Sequence, residues 1–286
     1  MMKRISYIVF LMLLAVAFSA CGGEKPAEPQ ETPTTAAEPA PAVQESSDEV
    51  VGQSKYTKIS EFSDVWSTLY NQNEAAINNY EGMPIMGLVT PQLSFVLSVQ
   101  YDALNLENRD GRYEGQLILA GYPGFVEKAG DRITFGSEYT REKDGFGPGA
   151  KAGDKVVNSG FLDLGTGCYH SEEVTERAGR KISRSVTEFK VLEDGSMICV
   201  DFRGNAFDVR GEEALNDQVI FLHNGTGRYD FVVANGKTGP EFNPFSFAEK
   251  GNLTKEQAIE LFQTAGYTLD KVGGIQDGKL VLDPVN

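Results

Sequence analysis

Short apolar segments of strand length alternate with turn-forming sequences over most of the chain, and this alternation constrains the fold more than any other feature. ISRSVTEFKVL is followed by EDG and MICVDFRG, and QVIFLH is followed by Asn224-Gly225 and RYDFVVA. A last pair of segments flanks Asp277-Gly278. Such turns between apolar segments are typical of β-hairpins. Parallel neighbours would need crossover helices, and none separates these segments, so the sequence predicts an antiparallel sheet.

Two segments have the periodicity of amphipathic helices. In residues 60–80 the apolar side chains recur every three or four positions after Ser60, a good N-cap. In residues 253–266, Thr254 and Gln257 have capping-box spacing and Gly266 stands at the C-terminal end. We therefore predict an α+β fold, mainly an antiparallel β sheet or half-barrel with an N-terminal and a C-terminal helix packed on it.

The N-terminus has the features of a secretory signal. Lys3 and Arg4 precede the apolar residues 7–18, which are fewer than the roughly 20 that span a bilayer. Residues 1–20 are therefore predicted to be a signal peptide that is removed. Phe18-Ser19-Ala20-Cys21 then resembles the lipobox of bacterial lipoproteins, although Phe18 stands where Leu is commonest. The resemblance implies that Cys21 becomes the first mature residue and carries acyl chains; the alternative is an ordinary signal peptide with a chance cysteine.

The next segment, residues 21–55, is rich in Pro, Glu, Ala and Thr and is predicted to be a disordered tether behind the lipidated cysteine. Residues 56–286 are predicted to be a single sheet-rich globular domain. Within it, the Gly-rich segment 145–154 is either a domain boundary or a long loop inside one sheet. The expected location is the bacterial cell envelope, with the domain outside the cytoplasm. Gly22 stands where some lipoproteins have an Asp that retains them at the inner membrane, so the outer membrane is favoured.

Charge limits the possible partners. The chain has a formal net charge of −15, which disfavours nucleic acid because a phosphate backbone selects Lys and Arg. The expected contact with a membrane is through the lipid anchor. No nucleotide-binding or metalloprotease motif is present in the sequence, and no cofactor or metal is predicted.

One polar cluster and one cysteine pair are candidates for chemistry. Cys168, His170 and Glu172 alternate along a predicted strand and would share one face, as in a metal site or a Cys-His nucleophile pair. The ordinary alternative is a polar strand face. Cys168 and Cys199 are an even pair in an oxidising compartment and form a possible disulfide. In a sequential meander they would lie about 9–10 Å apart, beyond disulfide reach, so the bridge requires another strand order.

The outline of a lipoprotein with a curved antiparallel sheet backed by helices resembles the lipoprotein-sorting carriers. The resemblance is architectural and transfers no functional residue. We expect a membrane-anchored envelope lipoprotein whose non-enzymatic binding or carrier domain takes an apolar or extended partner: a lipid, a peptide or another envelope protein. The alternatives are a hydrolase or metal-dependent enzyme with a site near Cys168, His170 and Glu172, and a structural or assembly lipoprotein.

Overall fold

The structure is a computed structural model that describes residues 109–116, 123–145, 149–208, 210–241 and 252–285. These residues belong to one compact unit, 51–286. They form eleven β-strands, one α-helix (α1, Lys255–Thr264) and a turn of 3-10 helix (Gly239–Glu241). The strands are β1 (Gly111–Gln116), β2 (Pro123–Ala129), β3 (Arg132–Thr140), β4 (Lys155–Asp163), β5 (Cys168–Arg177), β6 (Arg180–Val191), β7 (Met197–Phe207), β8 (Glu213–Gly225), β9 (Arg228–Gly236), β10 (Thr268–Gln276) and β11 (Lys279–Leu282).

All eleven strands form one antiparallel sheet, in which each strand pairs with the next strand in the sequence. The order runs from β1 to β11 without a crossover, and β1 and β11 are not paired with each other. The sheet of the described residues is therefore open. The Gly-rich segment 145–154 falls between β3 and β4, which pair directly along nine residues each. The described residues of this segment, 145 and 149–154, therefore connect two neighbouring strands of one sheet.

The predicted hairpins are mostly present. Asp277 and Gly278 join β10 to β11 with φ values of 51° and 72°, and a positive φ at both central residues is what a type I′ turn requires. The EDG sequence joins β6 to β7. The turn between β8 and β9 is different, because Asn224 pairs with Tyr229 and the strands continue past the predicted turn. The turn lies at residues 226–227, where Gly227 has a φ of 67°.

The two sides of the sheet are different. Side chains alternate between the faces of a strand, so Tyr169, Phe189 and Cys199, which are directly opposite one another on β5, β6 and β7, share one side. We call this side the cavity face. Val200, Phe221 and Val232 lie on the other side, where α1 packs, and we call that side the helix face. Burial on both faces explains why β7, β8 and β9 have almost continuous apolar segments.

Helix α1 begins at the predicted cap. The Gln257 amide donates to the Thr254 hydroxyl, and the Thr254 amide donates to the Gln257 side chain, at 3.3 and 2.9 Å. Ala258 and Phe262 are fully buried on the helix face, together with Val272 from β10. Each Å² of apolar surface that is removed from water contributes about 25 cal/mol. This burial stabilises α1, because a helix of this length is marginal on its own.

The predicted α+β class, with a helix packed at each end, is wrong. In the described residues α1 is the only α-helix, and it covers one part of a sheet whose strands run from residue 111 to residue 282. The fold is mostly β. The predicted N-terminal helix, residues 60–80, lies outside the described residues. Among those that are described, no helix has the length and apolar character needed to cross a bilayer.

Candidate functional site

Cys168, His170 and Glu172 lie at alternate positions of β5 on the helix face, as the sequence predicts, but each interacts with a different neighbour. Nδ1 of His170 is 2.7 Å from Oε1 of Glu188, and its ring stacks on Phe161 with 5.6 Å between centroids. Glu172 accepts a 2.7 Å bond from Nε of Arg184. The three side chains therefore do not converge on one point. They form cross-strand pairs of the kind that stabilise a sheet face.

The state of Cys168 gives no support to a nucleophile. Burial raises the pKa of its thiol, and the nearby carboxylates of Asp163 and Glu188 oppose ionisation further. A reactive cysteine needs the opposite environment, one that lowers the pKa and favours the thiolate. The alternative enzyme centred on this cluster thus has no activated sulfur in the structure.

The possible disulfide between Cys168 and Cys199 is absent, and both cysteines are free. Cys168 is opposite Lys190 of β6, whereas Cys199 is opposite Phe189 of the same strand. Successive residues of β6 point to opposite faces, so the two cysteines lie on opposite sides of the sheet with one strand between them. The sequential strand order excludes the bridge.

A second group of polar residues, which the sequence did not reveal, lies where β7 begins. Oγ of Ser196 is 2.6 Å from Oδ1 of Asp194 and 2.9 Å from Nε2 of His223. A carboxylate can only accept, so the serine hydroxyl donates to Asp194 and receives a bond from the imidazole. A catalytic triad needs the reverse, with the serine proton directed to the imidazole and the aspartate on its other nitrogen. Among the described residues, Nδ1 of His223 has no hydrogen-bond partner, so these three residues lack the order of bonds that a triad needs.

The described residues offer no set of metal ligands. No group of three or more His, Cys, Asp or Glu side chains among them is arranged so that it could hold a metal ion. The remaining candidate is a cavity.

The cavity has a volume of about 340 Å³ and opens on the cavity face, where the loop between β3 and β4 meets the sheet. Its sheet wall is a row of four small polar side chains that lie directly opposite one another on successive strands. Glu173 lies two positions before the first of them on β5, and Arg141, Gly149 and Ala150 contribute the loop side. The four residues of this polar row are Thr175, Ser183, Asn205 and Asn216.

Two irregularities in the sheet shape the cavity. The pairing of β5 with β6 shifts after Thr175, where Ile182 is the additional residue on β6, and the pairing of β7 with β8 shifts after Asn205. The carboxamide of Asn216 donates to the backbone oxygens of Phe207 and Ala214 at 3.0 and 2.8 Å and holds the second irregularity. Bulges of this kind redirect side chains and are frequent beside functional sites. Here both occur at the polar row.

The cavity contains one cation and one anion that are not paired. Within the described part of the chain, the guanidinium of Arg141 forms no hydrogen bond or ion pair, and its Nε is buried without a partner. Glu173 also makes neither. Burial raises the pKa of the Glu173 carboxyl, and the positive charge of Arg141 offsets part of this effect. Both side chains are half-buried, and a partly desolvated charge without a partner costs free energy, so both groups are suited to a ligand.

A buried ion pair fixes the loop that carries Arg141. Asp154 is fully buried, and its two oxygens accept bonds from Nε and Nη2 of Arg177 at 2.7 and 2.9 Å. Its second oxygen also accepts the Lys151 amide at 2.7 Å. Burial opposes ionisation of Asp154, but these bonds outweigh it and its pKa is lowered. The Arg141 backbone is bonded to both Asp154 and Gly153 at 2.8 Å, so the loop position is well determined.

One pattern in the sequence indicates the polar wall of the cavity. Ser183, Ser185 and Thr187 alternate along β6 and must share a face, and a polar face on a central strand is unusual. The cavity itself joins four strands and a loop, which no local pattern reveals. No protein-family model, no curated protein and no solved structure matches this chain, so a function has to be inferred from the geometry of the cavity.

Proposed function

We propose that this chain is a lipid-anchored, non-enzymatic binding protein of the bacterial cell envelope, whose sheet domain holds a small polar ligand in the cavity. The anchor and the location are supported by the signal-like N-terminus, the lipobox-like sequence at Cys21 and the Pro- and Glu-rich segment after it. The binding role is supported by the cavity.

The observation that carries the proposal is the pair of unpaired charges, Arg141 and Glu173, beside a row of polar side chains. The cavity volume of about 340 Å³ is at the lower end of the roughly 300–1,000 Å³ typical of small-molecule sites. Thr175, Ser183 and Asn205 make no side-chain hydrogen bonds within the described part of the chain, so they are available to a ligand. Groups that cost stability and serve no contact in the protein are typical of functional sites.

Of the ligands expected from the sequence, the polar wall supports a polar one, such as a peptide, over a lipid. Of the described lining residues, Ile182 and Phe207 are the large apolar ones, whereas Arg141, Glu173, Asp208 and the polar row carry hydrogen-bonding groups. An acyl chain in this position would leave these groups without partners. The lining also offers recognition groups without a histidine or cysteine, which supports binding over nucleophilic catalysis.

Mass spectrometry of the full mature protein tests the proposal. The protein is purified from envelopes in mild detergent and its mass is measured under native and then denaturing conditions. We expect extra mass of small-molecule size that is lost on denaturation and is reduced in the double variant R141Q/E173Q. If the native and the denaturing spectra both showed the protein with its acyl groups and no further bound molecule, the binding role would be contradicted.

A further inference from the structure

Arg141 and Glu173 both line the cavity, but they do not form an ion pair with each other. Arg141 is at the beginning of the loop, immediately after β3, and Glu173 is on β5. No ion pair joins them. Arg177, on the same strand as Glu173, is by contrast bonded to both oxygens of the buried Asp154 and to the backbone oxygen of Gly149. One arginine of this corner therefore has a charged partner, and the other has none among the described residues.

The backbone positions that carry the two charges are both fixed. Glu173 is fixed in register between its strand neighbours, opposite Asn158 on β4 and Ser185 on β6. The Arg141 backbone is held by two hydrogen bonds of 2.8 Å. Nη1 of its side chain lies close to Gly145, only 3.3 Å from where the Cβ of a larger residue at position 145 would be. A ligand that brings both a negative and a positive group can satisfy the two residues together.

We propose that the ligand is a zwitterion, an α-amino acid or a short peptide, with its carboxylate bound by Arg141 and its ammonium by Glu173. This inference rests on the proposed function. A guanidinium binds a carboxylate through two parallel bonds, and a carboxylate is the acceptor that an ammonium needs. The hydroxyls of Thr175 and Ser183 and the carboxamide of Asn205 then face the middle of the ligand, where peptide groups both donate and accept.

Charge and size exclude the other simple ligands. A polyanion would enter a chain of net charge −15 and would leave Glu173 facing a like charge. A simple cation would leave Arg141 without a partner, and a neutral sugar would leave both charges unpaired. The cavity volume of about 340 Å³ suits one or two residues better than a longer peptide.

The inference is tested by calorimetry on the full mature protein with four forms of one dipeptide. The probes are alanylalanine, its N-acetyl form, its C-terminal amide and the N-acetyl amide. We expect the unmodified dipeptide to bind at least about tenfold more tightly than either singly blocked form, because each block removes one charged hydrogen bond. Equal affinity for the four forms would overturn the inference.

Two variants assign the groups. R141Q is expected to remove the preference for a free carboxylate and to keep the preference for a free ammonium, and E173Q is expected to do the opposite. R132Q and E138Q, which alter exposed residues on the helix face, are the matched controls and should bind as the wild type does. If R141Q folds poorly, R141K is the substitute variant. It keeps the positive charge and should therefore retain part of the preference for a free carboxylate. Loss of both preferences in both variants, with unfolding temperatures unchanged, would contradict the assignment.

The inference and the proposed function can fail separately. If the dipeptides do not bind but native mass spectra of the envelope-purified protein show another bound molecule, the zwitterion is wrong and the binding role stands. If neither experiment detects a ligand, both are wrong. If the dipeptides bind equally well to wild type and R141Q/E173Q, the ligand occupies another place on the protein and the inference fails.

Discussion

A single residue, Ala178, is in an unfavourable backbone conformation. It is exposed and has a φ of 51° in the turn between β5 and β6, next to Gly179 at 77°. The left-handed region costs an L-residue other than Gly about 1–2 kcal/mol, and Asn tolerates it best. We expect A178N to raise the unfolding temperature by about 2–4 °C for each kcal/mol recovered. Thermal unfolding followed by circular dichroism measures the change.

The chain contains a matched control for this prediction. Asp277 has the same φ of 51° before Gly278 in the turn between β10 and β11. The substitution D277A places an alanine at this position, like Ala178 in the turn between β5 and β6. It should lower the unfolding temperature by a similar amount. If A178N and D277A both left the unfolding temperature unchanged, backbone strain would not be the relevant quantity.

The titration of Glu173 gives a second prediction. Burial raises its pKa in the folded protein, so the stability linked to its protonated form is present below the unfolded value of about 4.3 and is lost as the pH rises through the folded value. We expect E173Q to gain stability relative to the wild type between pH 4 and pH 7. Urea unfolding at intervals of pH measures this difference. A constant difference across the range would show that Glu173 is solvated in the folded protein.

The loop between β3 and β4 is the element whose position decides the cavity. In D154N, Arg177 loses its charged partner. Because the Arg177 side chain is 34% exposed, the expected cost is about 1–2 kcal/mol, less than for a fully buried pair. The pKa of Asp154 is lowered, so its stabilising effect is present above the unfolded value of about 3.9 and is lost as the pH falls through the folded value. The gap between wild type and D154N should therefore be constant above about pH 5 and narrow below pH 4.

D154N also tests whether the position of the loop between β3 and β4 affects binding independently of the sheet. Because Arg141 is bonded to the Asp154 backbone, D154N should also weaken binding of the dipeptide while leaving β-sheet content by circular dichroism unchanged. D144N is the control, since Asp144 makes exposed bonds to Lys151 and Ala152 at the outer side of the loop. An unchanged affinity in D154N would mean that the ion pair does not position Arg141.

Sequence patterns predicted the elements that depend on neighbouring residues. The capping box of α1 and the turn at Asp277-Gly278 are confirmed because their determinants lie within four residues of one another. The turn of β8 and β9 was misplaced by two residues, since the pairing of Asn224 with Tyr229 outweighs the local turn signal. The cavity could not be predicted, because it depends on register shifts after Thr175 and Asn205, which an alternating pattern does not encode.

At the scale of the whole molecule, the lipid anchor remains a prediction that labelling can check. Growth with radioactive palmitate should label the wild type and not C21A, because the resemblance implies that the Cys21 sulfur carries the acyl chains. C21A should also leave the membrane fraction. The control is C168A, which should stay labelled, since Cys168 belongs to the sheet. Label retained in C21A would contradict the assignment.

The strand order has a consequence for how the chain reaches its fold. Each of the eleven described strands pairs with the strand that precedes or follows it, so the contact order of this sheet is low for an all-β protein, and loop closure is inexpensive at each step. Pairing can proceed from β1 towards β11 as the residues become available. A chain that emerges N-terminus first from a ribosome or a membrane pore can therefore complete each of these hairpins before the next strand appears, and none of the eleven described strands has to wait, exposed, for a distant partner.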